Sequence, residues 1–427
     1  MKHFLKYSFF IWILATNFSL KAEDEIKIGI STFLSGGAAS SFGIPLKQGL
    51  EFMFKAINQG KVPEPYNTPG IGGKKVSFFF IDEHGGSTKQ VAEFRNMVQR
   101  QKVDVVMGYI SSGDCLAIPS VADELKQLTV LIDCGTPRVF EEGSYKYVFR
   151  TGPHAAMDNI AGALYLKRKG IIPKRVAAIN QNYAWGQDSW ADFKGSIDVI
   201  FNNPKIVSEQ FPKIFAGQYG TEISAIMVSK PDLIHSSLWG GDLESFIIQS
   251  NARGLFRNST VFLSAADHVL PTLGKNIPDG VIIGARGPHG DLAPDTVLAN
   301  WFKKQMKQEY GVKVTTQPMH KGAMAALFIK KAYDKASIEL NKFPTNEEVI
   351  SFMEGLKWDT PSGIAEMALG KGHQAIQDQA IGRSKWNKKK KRVEIVDIEY
   401  FNAKCVNPPE GIKSLDWIKG GFVGADC

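Results

Sequence analysis

The sequence predicts an α/β protein built as two doubly wound parallel-sheet lobes, and three observations carry that expectation. The chain has 427 residues with 44% hydrophobic, 22% charged and 11% aromatic content, a globular composition too long for one compact core. Short β-branched and aromatic runs alternate with amphipathic stretches, the pattern of parallel strands joined by crossover helices. The alternation repeats on both sides of about residue 150, and no repeat of solenoid period is present.

The chain opens with Lys2 and Lys6 ahead of a mostly apolar stretch from Phe9 to Leu20, and Ala22 precedes the acidic start Glu23, Asp24, Glu25. This is the layout of a secretory signal peptide over residues 1–22, cleaved near Ala22. A membrane anchor fits less well, because Thr16, Asn17 and Ser19 interrupt the run short of the roughly 18 residues a span requires. No Cys lies near the cleavage point to carry a bacterial lipid. Cleavage would remove Lys2, Lys6 and Lys21 from a formal charge of +8, so the basic excess is weak evidence for nucleic acid.

Strand candidates follow in order at Ile26–Ile30, Val76–Ile81, Val103–Ile110 and Thr129–Asp133, then at Arg175–Asn180, Asp232–Leu238, Thr260–Leu263 and Val281–Ala285. Each is a short apolar run of the kind buried on both faces in a parallel sheet. Between the first two, Gly49, Phe52, Met53, Ala56 and Ile57 recur at helical spacing opposite Lys47, Glu51 and Lys55. Exported chains pair their cysteines, and four allow three pairings. Cys115 and Cys134 flank one predicted helix at the ends of successive strands, which leaves Cys405 and Cys427 to staple the tail; four buried free thiols are the alternative.

Open parallel sheets bind ligands beyond the carboxyl ends of their strands. There the chain reads Ser31-Thr32-Phe33-Leu34-Ser35-Gly36-Gly37, Ser111-Ser112-Gly113-Asp114 and Cys134-Gly135-Thr136. Small residues admit close backbone approach, and hydroxyls and helix N-termini donate to an anion such as a carboxylate. Any one such loop is explained by helix capping; three on one edge point to a site. The later half supplies Asn182-Tyr183-Ala184-Trp185-Gly186 and Leu238-Trp239-Gly240-Gly241-Asp242, aromatics beside glycines that can wall a pocket, whereas Trp190, Trp301 and Trp358 read as core.

These residues carry a family resemblance. The chain resembles the type I periplasmic solute-binding proteins of the branched-chain amino acid (leucine/isoleucine/valine-binding) class, the receptors of ABC importers. The resemblance rests on Ile26-Lys27-Ile28-Gly29, the Leu34-Ser35-Gly36 loop, Gly70-Ile71-Gly72-Gly73-Lys74-Lys75-Val76, the Gly108-Tyr109 to Gly113 loop, Tyr183-Ala184-Trp185-Gly186 and Asn251-Ala252-Arg253-Gly254-Leu255. It implies a Venus-flytrap fold with three crossovers, one lobe from 23–147 and 271–374 and the other from 148–270 and 375–427. It also implies a periplasmic monomer that takes no cofactor and delivers a small solute to a permease in the inner membrane. By the same resemblance Ser112 and Thr136 hydrogen-bond a ligand carboxylate, with backbone contacts from Cys134 and Gly135. Trp185 and Trp239 line the cleft where the family often has Tyr, and Asp267 is the nearest carboxylate for an amino-acid ammonium, displaced from the family position. That displacement, with two indoles as walls, opens the alternatives of an aromatic acid, an amide or a cation held over Trp.

Other patterns are weaker. Lys385-Trp386-Asn387-Lys388-Lys389-Lys390-Lys391-Arg392 reads as a solvated hairpin turn rather than a nucleic-acid or lipid contact. Gly370-Lys371-Gly372-His373-Gln374-Ala375 fits a loose dinucleotide pattern without a leading strand, and Asp82-Glu83-His84 is a polar loop before it is a metal site. The sequence contains no GxSxG, HExxH or GxxxxGK[ST] motif, so a binding protein is expected rather than an enzyme. The same closed lobes could dock on a chemoreceptor or kinase instead of a permease.

Overall fold

The computed structural model describes residues 25–427; the expected leader lies outside the described residues. The chain alternates strand and helix through β1 (Glu25–Thr32), β2 (Lys75–Asp82), β3 (Val105–Gly108), β4 (Thr129–Leu131) and β5 (Val148–Arg150). It continues through β6 (Arg175–Ile179), β7 (Lys205–Gln210), β8 (Leu233–Ser236), β9 (Thr260–Leu263) and β10 (Ile282–Gly284). Two long helices follow, Val297–Tyr310 and Gln317–Leu340, and then β11 (Lys357–Thr360), β12 (Gly363–Leu369), β13 (Gln374–Gln377), β14 (Gln379–Asn387) and β15 (Arg392–Phe401).

These strands form two sheets, ordered β11-β12-β13-β5-β4-β3-β1-β2 and β15-β14-β10-β9-β8-β6-β7. All eight strand candidates are present. The five early strands of each sheet are parallel, Ile28 lying between Phe78 and Val105, and Ile234 between Ala177 and Val261. The inner strands are buried because helices cover both faces, which is why they read as apolar runs, whereas the edge strands β2 and β7 are only half-buried. The late strands differ: β11-β12, β12-β13, β10-β14 and β14-β15 pair antiparallel. The basic run is the turn of the β14-β15 hairpin, with Lys388, Lys389, Lys390 and Lys391 exposed.

The chain passes between sheets three times, later than the divisions expected at 147/148, 270/271 and 374/375. Val148–Arg150 still pairs with β4 in the first sheet, and Ile282–Gly284 pairs with β9 in the second. The passages therefore fall after Arg150, between Gly284 and the helix Val297–Tyr310, and at Asp378, the one residue between β13 and β14.

The first core centres on the helix Ile44–Asn58 packed against Gln317–Leu340. Their backbones approach so closely that a Cβ on Gly49 would lie 2.4 Å from the Met319 carbonyl oxygen, so the periodic position that looks weakest for a helix is the one the packing requires. Gly49, Phe52, Met53, Ala56 and Ile57 are buried, and Lys47 and Lys55 both pair with Glu51 on the outer face. Both cysteine pairs expected from the sequence are disulfides, Cys115–Cys134 and Cys405–Cys427. Among the described residues no helix is long and apolar enough to cross a membrane.

Candidate functional site

The carboxyl ends of both parallel sheets face one cleft. From the first lobe come Phe42, Ile110, Ser112 and Gly135; from the second come Tyr183, Trp185, Trp239, Ala265 and Arg286. Tyr183 and Trp239 are the last extended residues before the helices Ala184–Phe201 and Gly240–Arg253, and that N-cap backbone turns their rings out of the helix and into the cleft. The Trp239 indole packs 5.4 Å from Phe42 and 5.9 Å from Phe33, and its Nε1–H donates to the Tyr183 hydroxyl at 2.8 Å. Trp185 donates to the Ser237 carbonyl at 2.7 Å. A Cβ on Gly135 would lie 2.2 Å from the Trp185 ring, so glycine is needed there for the indole to reach the first lobe.

The lobes touch, so this is a closed form. Gly241 N–H donates to the Gly37 carbonyl at 2.8 Å, and the Thr136 hydroxyl donates to Asp188 at 2.5 Å.

Ser112 opens the helix Ser112–Glu124, and its Oγ accepts from the Gly135 and Thr136 amides at 3.2 Å each. Arg286 follows β10 and crosses the back of the cleft, its guanidinium carbon 4.5 Å from the centre of the Trp185 ring. Its Nε donates to Asp158 at 3.0 Å, Nη1 to the carbonyl and Oδ1 of Asp133 at 2.6 Å each, and Nη2 to the Pro153 carbonyl at 2.6 Å. A guanidinium carries five N–H donors, so one on Nη2 is left over, on the side where a Cβ of Gly135 would lie 2.9 Å away.

The family model for periplasmic binding proteins matches residues 25–391. The chain belongs to the periplasmic binding protein family. Its fold is similar to a solute binding protein of an ABC transporter from Rhodopseudomonas palustris BisB5 in complex with 3,4-dihydroxybenzoic acid, at a TM-score of 0.75 and 20% identity over 89% of this chain and 98% of that one. It is also similar to a leucine binding protein from Thermotoga maritima MSB8, with TM-score 0.71 and 17% identity over 87% and 98% of the two chains. In sequence it is 23% identical over 248 residues to Leu/Ile/Val-binding protein homolog 4 of Brucella abortus, a stretch spanning 55% of each chain, so the match covers about half the length of that relative.

In this periplasmic binding protein, Ser112, Gly135, Trp185 and Trp239 line the cleft as the sequence suggests. Cys134 and Thr136 flank it with their side chains engaged elsewhere, in the disulfide and on Asp188. Asp267 stands apart: its Oδ2 accepts from the Gln317 amide at 2.7 Å, Oδ1 has no partner among the described residues, and burial pushes its pKa up to about 8. The next residue, His268, reaches the aromatic loop instead, its Nε2 accepting from Gly240 N–H at 2.9 Å. Burial lowers the His268 pKa to about 3, so the ring is neutral and its Nε2 is free to accept.

Arg286 is the charged cleft residue the sequence reading missed, although it directly follows a predicted strand where the strand-end rule directs the search. Behind it lies a buried network in which Asp133 pairs with both Arg286 and Lys321, and Asp158 pairs with Arg286. Burial raises Asp158 to about 6 against the pull of Arg286 and Lys321, and burial together with Arg286 lowers Lys321 to about 8. Asp82 and Glu83 serve the first-lobe loops separately: Asp82 accepts from Leu34 N–H and the Ser35 hydroxyl, while Glu83 accepts from the Ile110 and Ser111 amides. Among the described residues no group of three or more His, Cys, Asp or Glu is placed to hold a metal ion.

Proposed function

We propose that the chain is a periplasmic receptor that closes over a small carboxylate and delivers it to the permease of an ABC importer, acting as a monomer and performing no chemistry on its cargo. An aromatic acid is the favoured cargo. The carrying observation is the charge of the cleft wall. Arg286 is its sole ionised group and none of its residues is a carboxylate, so an amino-acid ammonium buried there would lack a counter-ion. A carboxylate, by contrast, meets the spare Nη2 proton of Arg286 and the hydroxyl of Ser112. The faces of Trp185 and Trp239 and the edge of Phe42 offer a planar ring the stacking surfaces such rings prefer. The Rhodopseudomonas protein of similar fold, captured with a dihydroxybenzoic acid, supports the same reading; the Leu/Ile/Val-binding relatives make leucine the comparison to run.

The test is a thermal-shift screen of residues 23–427 with benzoate, 4-hydroxybenzoate, benzamide and leucine. A ligand at 100 times its Kd stabilises the folded state by about 2.7 kcal/mol. Benzoates are expected to raise the melting temperature and benzamide and leucine to leave it unchanged. A shift with leucine alone would return the cleft to amino acids and overturn the assignment of Arg286 as the carboxylate anchor.

A further inference from the structure

A second chamber lies on the other side of the Cys134–Thr136 loop, bounded by Phe140, Glu141, Arg150, His154 and the tail segment 408–413, with a cavity volume of about 140 Å³. Arg150 is fully buried and forms no ion pair among the described residues. Its Nε donates to Gln374, and Nη1 donates to the carbonyls of Cys134 and Thr136, the second at 2.5 Å. Nη2 has no partner, and neither has Nδ1 of His154 beside it. Glu141 acts on this cation only at a distance, without an ion pair, so much of the cost of burying the charge is left unmet. Burial, with Arg286 nearby, lowers its pKa to about 9, which leaves it charged at neutral pH. Two carboxylates lie on the wall: Glu141 is committed to Ser414, accepting from both its amide and its hydroxyl, and Glu410 accepts from the Lys371 amide at 2.8 Å. Pro137, Pro408 and Pro409 add wall without N–H donors, while Lys413 adds a positive charge.

We propose that this chamber is an anion site, in which a compact monoanion such as chloride or formate binds the free Nη2 of Arg150. Arg150 and Lys413 face Glu141 and Glu410 around the chamber, so it admits at most one compact negative charge, held at Nη2, and the two carboxylates limit the affinity by repulsion. Because Nη1 of the same guanidinium holds the loop that lines the solute cleft, an occupied chamber stiffens that loop from behind. The site does not depend on which solute the cleft takes.

The experiment is thermal unfolding of residues 23–427 titrated with sodium formate or sodium chloride, ionic strength being held constant with sodium gluconate, whose anion is too bulky for the chamber. A saturable rise in melting temperature is expected. Glu141→Gln keeps an acceptor for Ser414 and removes the repelling charge, so the midpoint should fall at least threefold. Arg150→Met should abolish the response, and Trp239→Ala, in the other cleft, should leave it intact. If Arg150→Met fails to fold, the Glu141→Gln comparison and an anomalous bromide peak within hydrogen-bond distance of Nη2 decide. A rise that never saturates, an unchanged midpoint in Glu141→Gln, or a response lost with Trp239→Ala would overturn the proposal.

Discussion

Trp239 packs in tilted and edge-on contacts against Phe33 and Phe42 of the first lobe and Phe215 of the second, so most of what its ring touches is present only while the cleft is shut. Trp239→Ala should therefore weaken the best benzoate ligand at least tenfold by isothermal titration, while the ligand-free melting temperature falls by only a few degrees. Unfolding of the second lobe would show that the indole is core. Thr136 tells a similar story through a hydrogen bond. Its hydroxyl is spent on Asp188, and Thr136→Val strands a half-buried carboxylate across the lobe interface, at a cost of about 1–3 kcal/mol. Acids and amides should lose affinity equally; a loss confined to acids would mean the hydroxyl contacts the ligand after all. Asp267 carries a pH signature. Its folded pKa, about 8, lies above the ordinary 3.8, so the folded state holds a proton that the unfolded chain has released, and stability falls as pH rises between roughly 4 and 8. Asp267→Asn should flatten that decline in urea unfolding measured at pH 5 and pH 8. At this scale the strand-end rule found Ser112, Gly135, Trp185 and Trp239 because small and aromatic residues beside glycines are visible locally. It passed over Arg286, whose importance comes from Asp133, Asp158 and Lys321, residues brought to it only by the fold.

At the scale of elements, the two disulfides do different jobs. Cys115–Cys134 ties the first turns of the helix Ser112–Glu124 to the loop carrying Gly135, so it holds together two segments of the first-lobe wall of the cleft. Cys405–Cys427 closes the tail far along the chain from any cleft residue. Replacing either pair by alanine should cost about 2–4 kcal/mol of stability, but only Cys115→Ala with Cys134→Ala should also lower ligand affinity; equal effects on binding would remove the distinction. The early strands were legible because each carries a short run dominated by apolar residues, even in the half-buried edge strand Lys75–Asp82 with its Phe78-Phe79-Phe80. Lys205–Gln210 was not, since it is a half-exposed edge strand whose apolar content is only Ile206 and Val207. Val148–Arg150 has only three residues, too few for any period to register. The antiparallel pairing of β11 to β15 has no local signature either, apart from the basic turn of the last hairpin.

The whole molecule is held shut by polar groups drawn from four separate stretches of chain. Arg286 of the second lobe bonds Asp133 of the first and Asp158 at the start of the second, and Lys321 on the long first-lobe helix completes the cluster. Removing one partner of such a buried network leaves an uncompensated charge, so Arg286→Met should cost about 3–5 kcal/mol in denaturant unfolding; a loss below about 1 kcal/mol would mean that water reaches these groups. The duplicated lobes could be read from the repeating alternation, whereas the places where the chain changes lobe could not, because short strands such as Ile282–Gly284 join a sheet by lateral pairing alone. The third of those changes has a mechanical meaning. Asp378 is all that separates a strand of one sheet from a strand of the other, and its carboxylate is fastened to Ala403 N–H. With no slack at that point the two halves cannot slide or drift apart there, so any opening of the cleft is a swing, as of a door, in which that single residue is the tightest of the three pins.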